Sequence, residues 1–177
     1  MKRDIQNVDD DIARKKRLIE KILYSDEDIA ELLDNPNIDP ECPEDLVYEN
    51  IWPCLRIPGT QDVSKNFITF TVDDMERMQY NPVMKSQYIT FVVFVHKDHI
   101  KTKYGIARHD LISYCIRDLL NLSNKLGAQC ELVQNREGVT DTDYHTRTLK
   151  FELITDNSTK PLRTNPYEYN QIVNHRR

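Results

Sequence analysis

The hydrophobic pattern switches period twice between residues 88 and 155. Residues 88–95 (Tyr-Ile-Thr-Phe-Val-Val-Phe-Val) are apolar at nearly every position, as in a central strand covered on both faces. Over 106–126 the apolar residues Ile112, Cys115, Leu119, Leu122 and Leu126 recur at steps of three and four, flanked by Leu111, Ile116 and Leu120. That spacing predicts an amphipathic helix, with Gly127 as its left-handed stop. Residues 144–154 alternate, with Leu149, Phe151 and Leu153 on one face and Thr148, Lys150 and Glu152 on the other. A sheet with a helix laid across one face satisfies all three patterns.

Before this segment, Ile12, Leu18, Ile19, Ile22 and Leu23 mark one side of a helix whose other side carries Arg14, Lys15, Lys16, Arg17 and Lys21. Ser25 reads as an N-cap, with Asp26, Glu27 and Asp28 in the first turn of a short second helix ending at Leu33. Asn35, Pro36, Pro40 and Pro43 place a loop over 34–44. Residues 47–57 are strand-like but interrupted by Pro53, which assigns them to an edge. Ile68, Phe70 and Val72 alternate with Thr69 and Thr71 as a half-buried strand over 67–72, and 131–134 pairs with 144–154 as a hairpin around 135–143.

The expected fold class is therefore α+β: a mostly antiparallel sheet of about four to five strands, one long helix packed on a face, N-terminal helices and an extended C-terminal arm. Residues 1–24 form a helical extension, 25–155 the α+β domain, and 156–177 the arm, in which Tyr167, Tyr169, Ile172 and Val173 offer something to bury against a partner.

A chain of 177 residues, 39% hydrophobic and 30% charged, suffices for one core. No run reaches the roughly 18 apolar residues of a membrane span, and no signal-peptide pattern follows the charged start, so a cytosolic site of synthesis is expected. Cys42, Cys54, Cys115 and Cys130 form no CxxC and read as reduced thiols. The net charge of −5 is unevenly spread: ten acids and no Lys or Arg lie between Ser25 and Glu49. This block reads as a solvated helix and loop; the alternatives are a docking surface for a basic partner or a wall that keeps DNA from sticking.

Candidate chemistry is sparse. His96, Asp98 and His99 lack a third ligand at diagnostic spacing for zinc. Asp141, Asp143 and His145 could share a strand face and hold Mg²⁺, or form a solvated hairpin tip. No GxSxG or GxxxxGK is present, nor the Glu-x-Lys strand of a nuclease, and no cofactor is expected. Met75, Met78 and Met84, together with Tyr80 and Pro82, lie in what reads as one long connection over 73–86. They predict an adaptable contact surface, or a loop folded back over the core.

In element order and texture the chain resembles the tail terminator (tail completion) proteins of long-tailed bacteriophages and related head–tail neck proteins. The likeness covers roughly residues 19–155 and rests on 22–33 (ILYSDEDIAELL), 88–95 (YITFVVFV), the helix containing His109-Asp110-Leu111-Ile112, and 144–152 (YHTRTLKFE). It implies a non-enzymatic ring, typically a hexamer, in the tail or neck of a virion assembled in the host cytoplasm. Such a ring contacts the tail tube protein, a tail sheath where present, and the head connector or stopper, while DNA passes through without sequence-specific binding. The interface residues expected on this reading are Met75, Met78, Tyr80, Met84, Arg136, Asp141, Asp143, Tyr167 and Tyr169. The alternatives are a head-completion or stopper protein and, in a different class, a small metal-dependent nuclease using Asp141 and Asp143.

Overall fold

The computed structural model describes residues 10–57, 65–78, 81–140 and 143–156, without the side chains of 76–78 and 82. Among the described residues the helices are α1 (Asp11–Tyr24), α2 (Glu27–Leu33) and α3 (Arg108–Leu120), and the strands are β1 (Ile51–Trp52), β2 (Phe67–Met78), β3 (Asn81–His96), β4 (Cys130–Val139) and β5 (Tyr144–Asp156). The five strands form one sheet in the order β1-β2-β3-β5-β4, antiparallel throughout except that β1 runs parallel to β2. The fold is α+β, as expected.

Register explains the core. Phe70 pairs with Phe91 and Phe91 with Leu149; Val72 pairs with Ile89 and Ile89 with Phe151. These side chains are buried with Ile19 and Leu23 of α1, Ile29 and Leu33 of α2, and Ile112, Ile116 and Leu120 of α3. All three helices thus cover the same face. The other face has a small cluster at one end, where Phe67 stacks on Phe94 at 4.8 Å beside Tyr144. Elsewhere it carries Tyr88, Thr90, Thr148 and Lys150, half-buried. Strand β3 is central, as predicted, but it is not covered evenly on both faces.

Several elements differ from those the hydrophobic pattern predicts. Helix α3 has 13 residues and α1 has 14, so no single long helix dominates. Helix α3 stops at Asn121, not at Gly127, because the next strand captures its end. The Asn121 side chain accepts from the Leu132 N–H at 2.9 Å, and the Leu122 N–H donates to the Cys130 carbonyl at 2.6 Å with Leu122 in the left-handed region at φ 58°. Gly127, at φ 86°, belongs to the following turn. The buried stripe of α3 is consequently His109, Ile112, Ser113, Ile116 and Leu120, while Leu122 is 62% exposed and Leu119 only partly buried.

Asp26, not Ser25, caps α2, accepting from the Ile29 N–H at 2.9 Å; the Ser25 N–H closes α1 by donating to the Lys21 carbonyl. The edge strand expected over 47–57 shrinks to two residues. A 3-10 turn at Pro43–Leu46 and a left-handed Tyr48 precede it, and Pro53 follows. Buried asparagines fix this short strand: Asn50 donates to the Asn66 carbonyl at 2.7 Å, and Asn35 donates to the Asn50 side-chain oxygen at 2.6 Å.

The largest correction concerns 73–86. This stretch is no long loop, because β2 continues to Met78 and β3 begins at Asn81. Polar residues sustain the ladder here because they face a polar part of α1: Lys85 bonds Asp74 at 2.8 Å, and the Gln87 amide donates to Asp11 at 3.0 Å. The hairpin of β4 and β5 is likewise longer than the expected 131–134 arm.

Candidate functional site

The predicted interface residues fall on opposite sides of the sheet. Met75 (49% exposed), the Met78 backbone opposite Asn81, and half-buried Met84 belong to the β2–β3 arm. Arg136 is exposed on β4 opposite Thr148, and Asp143 occupies the turn into β5 at φ 65°. The structure therefore does not gather them into one site. Tyr80, Asp141, Tyr167 and Tyr169, and the Met78 side chain, lie outside what is described.

The strand edges on these two sides are complementary in direction. Strands β2 and β5 run one way, β3 and β4 the other. Among the described residues β1 pairs only with Ile68 and Thr69, so no strand lies beside β2 beyond Thr69, and none lies on the outer side of β4. Exposed apolar side chains flank both: Met75 and Val83 on one arm, Val133, Val139 and Ile154 on the other. Exposed strand edges with apolar neighbours invite pairing with another chain.

The candidate chemical clusters are otherwise engaged. Asp143 binds Lys97 at 2.8 Å, and this ammonium holds the Asp143 carboxyl below the usual carboxylate range. His145 stacks on His109, rings 5.9 Å apart. His96 Nδ1 lies 3.2 Å from its neighbour Asp98, while His99 is 4.0 Å from Asp34. Among the described residues neither histidine group brings three ligand atoms together. Asp26, Asp28 and Cys115 do bring ligand atoms within 4.8 Å of one another, but Asp26 already caps α2, and burial followed by the nearby carboxylates pushes the Cys115 thiol up to about 11.

Sequence reasoning missed a polar joint between α3 and the outer hairpin. His109 is buried; its Nε2 lies 3.5 Å from Glu137 and 3.7 Å from Asp110, and Arg147 reaches the same two carboxylates at 3.6 and 3.3 Å. Arg147 also donates to Asn135 at 2.7 Å. The signal was present: the stripe of Leu149, Phe151 and Leu153 continues backwards onto Arg147 and His145, so the core-facing side of β5 turns polar. This arrangement fastens the edge hairpin to the helical layer.

The acidic block is also shaped. Between α2, the end of α1 and the 3-10 turn lies a cavity of about 520 Å³ with Tyr24, Ile38 and Pro43 among its apolar walls and Glu27, Glu31 and Asp39 at its polar ones. Glu31 pairs with Lys103 at 2.7 Å.

No curated protein matches the sequence. A family model, YomW, matches residues 19–153, from the middle of α1 to the last buried residue of β5. The chain belongs to the YomW family, a phage-related protein family.

Proposed function

We propose that this chain is a structural subunit of a phage particle, one that assembles with copies of itself into a ring at the head–tail junction, of the tail-terminator kind. The observation that carries the reading is the pair of unlike, oppositely directed edges. Adding the β4 edge of one copy to the free part of the β2 edge of the next continues the antiparallel alternation without reversal. Such a contact is head-to-tail, and head-to-tail contacts form closed rings when the rotation per subunit closes. Family membership supports the phage setting.

The ring's partners on this reading are the tail tube protein on one side and the head connector or stopper on the other, with DNA passing through the bore. The protein works by surface complementarity and makes or breaks no bonds. Electron microscopy of the concentrated protein tests this: closed rings of uniform diameter support it, whereas single particles together with Mg²⁺-dependent cleavage of added DNA overturn it.

A further inference from the structure

Two strand edges that pair must offer each other backbone groups not already bonded within their own sheet, and the hydrogen bonds present show which residues those are. On β2 the Ile68 N–H donates outward, to the Asn50 carbonyl beside β1 at 2.7 Å. Alternate residues of a strand point their N–H and C=O the same way, so Phe70, Val72 and Asp74 also point outward, where no described strand meets them. On β4 the Thr140 N–H donates inward, to the Tyr144 carbonyl at 2.9 Å, which leaves Val139, Glu137 and Asn135 pointing outward. Even positions of β2 therefore stand opposite odd positions of β4.

The ends of the two stretches select one alignment. Strand β1 occupies Ile68 and Thr69, so Phe70 is the first free position, and regular pairing of β2 lasts until Asp74, where a bulge begins. Strand β4 is regular from Gln134, just past its own bulge, to Val139. Setting Val139 opposite Phe70 brings Glu137 opposite Val72 and Asn135 opposite Asp74, with both bulges at the same end. A slip of two residues one way puts Val139 against Ile68, which β1 already covers. A slip the other way puts Glu137 against Asp74, two carboxylates.

Charge agrees with this alignment. Asp73 lies opposite Tyr88 and Arg136 opposite Thr148, so both belong to the face without helices. Among the described residues neither forms an ion pair, although the Thr71 hydroxyl donates to Asp73 at 2.7 Å. In the selected register they face each other across the junction at a position without backbone bonds, where Cα atoms are about 4.5 Å apart and opposite charges support pairing.

We propose that β4 of one copy pairs with β2 of the next in this single register, with Arg136 of the first against Asp73 of the second and β1 as the stop. This rests on the edge-to-edge reading and names the residues that meet.

The test uses the full chain with Cys42 and Cys54 replaced by Ser. Arg136→Cys is combined in turn with Thr71→Cys, Asp73→Cys and Met75→Cys, and each protein is mildly oxidised and run on a non-reducing gel. Within one chain these positions are three strand spacings apart, about 14 Å, beyond the roughly 7 Å limit for a disulfide, so every link joins two copies. Asp73→Cys with Arg136→Cys should give a ladder of covalent multimers, several-fold more than either other pair. A stronger link from another pair overturns the register and leaves edge-to-edge assembly standing. Rings in the microscope with no link from any pair overturn both, as does a chain that stays monomeric. Charge reversal tests the ion pair separately: D73R and R136D should each reduce the fraction of protein in rings, and D73R/R136D should restore it. A double variant no better than the single ones overturns the pairing of these two side chains.

Discussion

The Lys15 ammonium, on the helix side expected to be solvated, is buried and donates to the side-chain oxygen of Gln87 on the central strand. It also pairs with Asp11 at 2.6 Å, and Gln87 in turn donates to Asp11 and Asp74, so one polar knot pins α1 to the sheet. Removing the cation leaves carboxylates without their neutralising partner. Lys15→Ala should therefore destabilise the fold by about 2–4 kcal/mol in urea unfolding, more than an exposed ion pair would allow. Arg14→Ala, on the open side of the same Asp11, should cost under about 1 kcal/mol.

Acid should loosen this knot in a defined window. Burial tends to raise the Asp11 carboxyl, but hydrogen bonds from Lys15 and Arg14 outweigh it and hold the group at about 2 instead of 3.8. Asp74 is also lowered, with burial again opposed by Lys85 and Gln87. A carboxyl depressed in the folded state stabilises the fold fully above the unfolded value, and that contribution disappears as pH falls through the folded one. The urea midpoint should accordingly drop between about pH 4 and pH 2, and Asp11→Asn should flatten the slope there.

Helix α3 offers a sharp contrast. Ile116 is fully buried between sheet and helix, so Ile116→Ala should cost about 2–5 kcal/mol, whereas Leu122→Ala, at a position past the helix end and 62% exposed, should stay within about 0.5 kcal/mol. Denaturant titration of the two variants checks both values.

That contrast also marks what the sequence could convey. The sheet was legible because Phe91, Leu149, Phe151 and Leu153 follow simple strand periodicities. The exact helical stripe was not, because Leu111, Ile112, Cys115, Ile116 and Leu119 satisfy two overlapping faces; only tertiary capture of Asn121 by β4 decides where the helix ends and which face turns inward. The β2–β3 arm was hidden for a related reason. Asp74, Lys85 and Gln87 look like loop residues until α1 supplies Asp11 and Lys15 as their partners. Of the interface candidates, Met75 and Arg136 are exposed on opposite edges of the sheet, a separation that nothing local in the sequence reveals.

The joint under α3 can be probed through His109, whose two ring nitrogens make no hydrogen bond among the described residues although carboxylates approach them. His109→Phe keeps a flat buried ring against His145 and removes unsatisfied polar atoms. Its stability at neutral pH should be unchanged or raised by about 1 kcal/mol, as read by thermal unfolding. Arg147→Ala, by contrast, should lower it, since Asp110 and Glu137 would then face each other without the guanidinium.

The central claim is edge-to-edge self-assembly, and light scattering across a concentration series measures it most directly for the native chain beside a Val133→Lys/Val139→Lys variant, which places charge on the exposed β4 edge. The native chain should converge on one discrete multiple of the 20.9 kDa subunit, while the variant stays folded and monomeric. A native chain that remains a monomer at every concentration, or a variant that assembles as the native chain does, would contradict the account.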